Sequence, residues 1–132
     1  MSNFEDTFEV VTLTPEDSNK ITDFLMDHFL LEEPLNRASG MSKQNFQRFV
    51  NNLLERTLNI PFSYAIVDKA SQKTVACAMS SLWKNEVEEH SGEEFVFEER
   101  NNQSIGTVGK ILTELHAKFF EIKPEIQLVL HL

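Results

Sequence analysis

Two adjacent carboxylates, Glu32 and Glu33, precede Pro34 and are the residues best placed for acid–base chemistry. Proline has no N–H and its ring obstructs the preceding turn, so it ends a helix and holds the residue before it in an extended conformation. Glu33 is therefore predicted to lie just past a helix C-terminus in a fixed direction. The negative end of the helix dipole and partial burial would both favour proton uptake by its carboxylate, which suits a general base. The alternative is that both glutamates are ordinary solvated charges at a helix end.

The helix that brings Glu33 to this position is predicted to run from Pro15 to about Leu31. Thr14 can cap its first turn, and proline is tolerated at the first helical position. Side chains at the spacing of one helical face follow, and they predict a face turned toward a core. These residues are Ile21, Phe24, Leu25, His28 and Phe29.

Strand and helix patterns alternate along the rest of the chain. The predicted strands are residues 8–13, 62–67 and 74–83, and a further strand begins at Gln127. Two more helices are predicted, one at residues 42–58 before the hairpin and one at 104–122 after it. An acidic surface loop at 84–102, with a short strand at 95–97, is predicted between the hairpin and the second of these helices. This order predicts an α+β fold with three helices and an incomplete mixed or antiparallel sheet.

Other groups capable of chemistry are sparse. Cys77 lies inside a predicted strand, where a small buried hydrophobe is the expected role and a nucleophilic thiol the alternative. The four histidines are scattered, with no His-x-x-x-His pair and no cysteine pair, so no metal site is predicted. No phosphate-binding loop, dinucleotide fingerprint or nucleophile elbow occurs.

Length and composition restrict the function further. A chain of 132 residues suits one domain, and its net charge of −9 argues against a nucleic-acid surface. One cysteine, no long apolar run and an acidic N-terminus predict a cytoplasmic protein without a membrane segment. The negative charge would attract a cationic ligand, although surface acidity also serves solubility.

The order of elements and the turn together resemble the GNAT superfamily of acetyl-CoA-dependent N-acetyltransferases. Within that superfamily the chain is similar to the invertebrate arylalkylamine (dopamine-type) N-acetyltransferases. The resemblance covers nearly the whole chain and is strongest at Glu33-Pro34-Leu35-Asn36. It is also carried by Phe24-Leu25, Phe29 and the hairpin residues 64–67 and 75–78.

The resemblance implies roles for the turn. Glu33 would be the base that deprotonates the substrate amine, directly or through water, and Phe29, Pro34 and Asn36 would bind the amine. An alkylammonium has a pKa near that of lysine, about 10.4, and cannot attack a thioester until it loses a proton. A positioned base contributes about 10²–10⁴ to the rate of such a step.

The resemblance also implies acetyl-CoA as the acetyl donor. In the family its pyrophosphate is held by backbone N–H groups of a glycine-rich loop at a helix N-terminus. That loop has no counterpart in this sequence, and the strand beginning at Gln127 is predicted to lead into it. Residues 1–132 are thus predicted to form one domain, the N-terminal acceptor side of an acetyltransferase, which is inactive alone.

Two other functions remain open from the residues. One is a non-catalytic interaction module, a homodimer formed through the open strand edge, with Glu33 in solvent and Leu128 and Leu130 covered by a partner chain. The other is a small acidic binding domain of unrelated fold, which a parallel pairing of residues 62–67 with 74–83 would favour.

Overall fold

The computed structural model describes residues 3–84 and 103–132. Its strands are β1 (Phe8–Thr12), β2 (Tyr64–Asp68), β3 (Thr74–Ala78), β4 (Ser81–Lys84) and β5 (Leu128–His131). Its α-helices are α1 (Phe4–Thr7), α2 (Ser18–Phe24), α3 (Leu30–Glu32), α4 (Pro34–Ser39), α5 (Lys43–Thr57) and α6 (Gln103–Ile122). The predicted loop at 84–102, apart from Lys84, and its short strand lie outside the described residues.

All described strand pairs are antiparallel and belong to two sheets, one of order β1-β2-β3 and one of order β4-β5. In the first sheet Val10 faces Ile66, which faces Ala76, and in the second Leu82 faces Leu130. The predicted antiparallel hairpin and mixed α and β composition are therefore confirmed. The parallel pairing that would have favoured an unrelated fold is not found.

The strand predicted at residues 74–83 is divided into β3 and β4, because a buried serine pair replaces the ladder at the break. The Ser80 N–H donates to Ser63 Oγ at 3.0 Å, and the Ser63 carbonyl accepts the Leu13 N–H at 2.8 Å. The Ser63 hydroxyl also donates to the Thr57 carbonyl at 3.3 Å. Burying a hydroxyl costs free energy unless the hydroxyl is hydrogen-bonded, and these bonds satisfy the Ser63 hydroxyl in the core. Beyond this joint the chain pairs with β5 instead of β2.

The first long helix contains a π-helical segment, which the sequence did not predict. A 3₁₀ turn at Pro15–Asp17 leads into α2, and the π segment Leu25–Phe29 joins α2 to α3. A π turn takes five residues where an α turn takes four, so it shifts every later side chain around the helix. The buried residues are Ile21, Leu25 and Leu30, spaced by four and then by five. Leu30 therefore fills the core position that regular spacing had given to His28 and Phe29, and both of these are exposed.

Helix α5 supplies much of the core, as its spacing predicted. Ser42 caps it by accepting the Asn45 N–H at 3.1 Å. Phe46 and Val50 are fully buried, and Leu54 and Leu58 are nearly so. They pack with Ile21, Leu25 and Leu30, with Ala65 of β2 and with Leu13, which follows β1. This cluster is the surface on which the segment around Glu33 rests.

Helix α6 buries a narrower face than its sequence predicted. It packs against α4 and α5, with Phe120 buried and Leu112 and His116 half-buried. Leu115 and Ile122, which fall at the spacing of the apolar face of this helix, are each more than half exposed. The apolar stripe is wider than the contact that α4 and α5 offer, so part of it faces outward.

No helix within residues 3–84 or 103–132 combines the length and apolar character needed to cross a bilayer.

Candidate functional site

Glu33 lies in the turn between two helices. Its backbone is extended, with φ −68° and ψ 126°, between the last residue of α3 and the first of α4. The Glu33 N–H donates to the Phe29 carbonyl at 3.0 Å, and the Glu33 carbonyl accepts the Arg37 N–H at 3.1 Å. The backbone is thus tied to the helix before it and to the helix after it. The extended conformation predicted from Pro34 is confirmed.

The Glu33 carboxylate caps α4, which the sequence argument did not foresee. Its Oε2 accepts the Asn36 N–H at 2.7 Å. The positive N-terminal end of α4 lies at this group, as does the negative C-terminal end of the preceding helix, so the two helix dipoles act on it in opposite directions. The residue is half-buried, and among the residues that the structure describes, Oε1 accepts no hydrogen bond. One carboxylate oxygen is therefore fixed, and the other has no hydrogen-bond partner among these residues.

Helix α4 lies between the first and second predicted helices, where the sequence predicted no helix. Pro34 stands at its first position, and Gly40 ends it in the left-handed conformation with φ 67°. Proline at the first position with glycine just past the end is a known helix signature, and it was the signal available here. Because the Glu33 carboxylate caps its first turn, the helix holds Asn36 and this carboxylate close together.

An aromatic side chain lies beside the turn. Phe29 is 44% exposed, and its ring stacks on that of buried Phe46 with 6.2 Å between centroids. It stands four residues before Glu33, so the two occupy neighbouring positions on the helix surface. Pro34 is exposed, and Leu35 is 41% exposed on α4. Phe29, Glu33 and Pro34, three of the four predicted site residues, thus lie close together in the chain, and none of them is buried.

Asn36, the fourth predicted site residue, is placed differently. It is 6% exposed, and its side-chain Nδ2 donates to the Phe29 carbonyl at 3.3 Å. Its own carbonyl accepts the Met41 N–H at 3.0 Å and the Ser39 hydroxyl at 3.2 Å. Its side-chain Nδ2 and its backbone groups thus bind the protein itself. No sequence pattern distinguishes this role from a surface contact.

The described cavities lie elsewhere. A polar groove of about 750 Å³ runs between α2 and α5, and a smaller cavity of about 210 Å³ lies over the face of the first sheet. Glu33 lines neither of them. The groove is lined by Asp23 and Glu55 together with neutral polar side chains, including Asn19, Gln47 and Asn51. Neither of these two cavities therefore includes the predicted base.

The remaining candidates are structural. In the described parts of the chain, no three His, Cys, Asp or Glu side chains are grouped to hold a metal ion. His28 packs on Phe24 at 5.0 Å between ring centroids, and His116 contacts the Trp83 ring. Cys77 is half-buried within β3, where it packs against the core.

Cys77 is expected to react slowly with iodoacetamide at neutral pH. Burial raises the pKa of its thiol, so little of the reactive thiolate is present. Because the folded chain holds this proton more tightly than the unfolded chain, the free energy of unfolding should fall as the pH rises above about 8.5. Alkylation of folded and urea-unfolded chains, followed by mass spectrometry across pH, checks both statements. A folded chain that reacts as fast as the unfolded one would contradict them.

The described residues do not fit the pyrophosphate of acetyl-CoA. Gly106 and Gly109 lie inside α6, not in a loop between a strand and a helix. No glycine-rich loop follows a strand within residues 3–84 or 103–132. No chemical step is therefore assigned to a CoA-binding residue within the described ranges.

The sequence matches no protein-family model and no curated protein. In structure the chain is similar to arylalkylamine N-acetyltransferase 2 from Aedes aegypti, with a TM-score of 0.71 and 17% sequence identity. The similarity covers 93% of this chain and 57% of the mosquito protein, so the chain spans less than two thirds of that protein's length. At this identity the comparison shows the fold, which is the GNAT-like fold that the sequence predicted.

Proposed function

We propose that this chain is the amine-binding, N-terminal acceptor side of an acetyl-CoA-dependent N-acetyltransferase that acts on small arylalkylamines. The observation that carries the proposal is the half-buried Glu33 carboxylate, with one oxygen fixed and one without a hydrogen-bond partner among the described residues, beside the exposed Phe29 ring. The GNAT-like fold supports it, since the similar mosquito protein is an arylalkylamine N-acetyltransferase. Residues 1–132 form one domain in this proposal.

In the proposed reaction Glu33 is the general base. The substrate ammonium donates a hydrogen bond to Glu33 Oε1 and transfers its proton there. The nitrogen is thereby left with the free electron pair that attack on an acetyl thioester would require, and the proton on Glu33 passes to water. Glu32 does not suit this role, because it is exposed and no hydrogen bond from the described residues fixes its carboxylate.

The neighbouring apolar groups would hold the rest of the substrate. The Phe29 ring offers a face for an aryl group, and Pro34 borders the same surface. Aromatic pairs contribute about 0.5–1.5 kcal/mol beyond the area they bury. The net charge of −9 raises the local concentration of cationic amines.

Titration of the 132-residue chain with phenylethylamine and phenylethanol tests the proposal. Both ligands carry the ring, but only the amine carries the charge that Glu33 binds. We expect tighter binding of the amine, with NMR shifts centred on Phe29, Glu33 and Pro34. Equal binding of the two ligands, or shifts centred on the groove between α2 and α5, would contradict the proposal.

A second candidate function is favoured by the apolar surface of α6 and β5. Leu128 and Leu130 are 52% and 54% exposed, and among the described strands β5 pairs only with β4. An unpaired edge with apolar side chains suits pairing with a second copy of the chain, as in a non-catalytic dimeric module. A self-associating chain that binds phenylethylamine no better than phenylethanol would support this candidate.

A further inference from the structure

Asn36 connects the two parts of the proposed amine site. Its backbone N–H donates to Glu33 Oε2 at 2.7 Å, and its side-chain Nδ2 donates to the Phe29 carbonyl at 3.3 Å. The residue is 6% exposed, and both bonds are partly buried. A buried amide is costly unless it is bonded, and here its bond reaches the residue that carries the aromatic ring.

The carbonyl of Phe29, the last residue of the π segment, accepts two hydrogen bonds. It accepts the Glu33 N–H at 3.0 Å as well as the Asn36 amide. The π segment is what turns Phe29 outward, because its extra residue gives the core position to Leu30. A bond from Asn36 to the last carbonyl of this segment therefore ties the direction of the Phe29 side chain to helix α4, whose first turn holds the Glu33 carboxylate.

We infer that Asn36 is a positioning and specificity-determining residue that sets the separation between the Glu33 carboxylate and the Phe29 ring. The site would thereby select amines by the length of the alkyl chain between the aryl ring and the ammonium. Asn36 acts through Glu33 and Phe29 and does not touch the substrate. The inference rests on the proposed function, since it gives that site its substrate preference.

The test uses the 132-residue chain and a series of ligands, namely benzylamine, phenylethylamine and phenylpropylamine, with the corresponding alcohols. In the wild-type chain one amine is expected to bind best. In Asn36→Ala its affinity should fall about 3- to 10-fold, which is the range for one neutral hydrogen bond, and the other two amines should lose less. The differences among chain lengths should therefore shrink.

Asn59→Ala is the matched control. Asn59 also donates its side-chain amide to a helix carbonyl, that of Glu55 at 2.6 Å, but it belongs to the groove away from Glu33. This variant should keep the wild-type preference among the amines. Thermal melting of both variants distinguishes a purely structural role of Asn36 from a positioning role. A purely structural role would lower the melting temperature without changing the preference among the amines.

The outcomes separate the two proposals. If the wild-type chain binds amines and alcohols equally, the proposed function fails. If it binds amines better but a folded Asn36→Ala variant keeps the same chain-length preference, the role of Asn36 is overturned and the proposed function stands. If Asn36→Ala does not fold, the side-chain ¹⁵N signal of Asn36 in the wild-type chain decides. We expect it to shift on phenylethylamine binding, and an unchanged signal would overturn the inference.

Discussion

Glu33→Gln is expected to lower kcat/KM for phenylethylamine by about 10²–10⁴, the range for loss of a general base. The measurement uses a protein that joins this chain to a CoA-binding segment of an N-acetyltransferase, because the described residues hold no site for the donor. Glutamine keeps the shape of the side chain and can still accept the Asn36 N–H, so the cap of α4 survives. What it cannot do is accept a proton from the substrate ammonium.

Two comparisons show whether the loss is one of proton transfer. An aniline is already neutral at neutral pH, so Glu33→Gln should lower its acetylation far less than that of phenylethylamine. The deficit for phenylethylamine should also shrink as the pH approaches the pKa of the amine, since an alkylammonium titrates near about 10. Glu32→Gln removes a neighbouring exposed charge and should leave both substrates nearly unaffected. An equal loss for both substrates would remove Glu33 from the role of base.

Leu30→Ala is expected to lower the free energy of unfolding by about 2–5 kcal/mol, as buried leucines generally do. Phe29→Ala removes more atoms but should cost only about 1–2 kcal/mol, because that ring is 44% exposed. This order follows from the π segment, which turns Leu30 into the core and Phe29 outward. In a regular α-helix continued from Ile21 and Leu25, Phe29 would be the buried residue.

Urea denaturation of the two variants measures the difference directly. The slope of the transition should stay unchanged, which shows that the denatured state is comparable in both. A Phe29→Ala variant less stable than Leu30→Ala would contradict the π register. It would also remove the reason for placing the Phe29 ring on the substrate side of the helix.

The sequence predicted the elements whose signals are local and regular. The stripe of α5, the antiparallel hairpin and the helix start at Pro15 all follow from spacing, β-branched residues and capping, and the structure has each of them. The division between β3 and β4 was not predicted, because it depends on Ser63 and Ser80, which lie far apart in the chain. The π segment has no pattern of its own, since the apolar residues of the first helix also fit regular spacing.

The candidate site was predicted in part for similar reasons. Proline fixes the backbone of the residue before it wherever it occurs, so the extended conformation of Glu33 could be derived from Pro34 alone. The direction of the Asn36 side chain depends on where the Phe29 carbonyl lies, and that depends on the π turn. The burial of Asn36 therefore required the coordinates.

The bonds that shape the proposed amine site all join residues between Leu25 and Gly40. The packing of these residues reaches further, because Phe29 packs on Phe46, Leu30 joins the core and α4 packs against α6. Hydrogen bonds so near in sequence close small loops, which cost little chain entropy and form early in folding. The hydrogen-bonded geometry of the site is accordingly encoded by residues 25–40. We expect it to persist when this segment is grafted onto another helical scaffold that offers an aromatic ring for Phe29 to pack on.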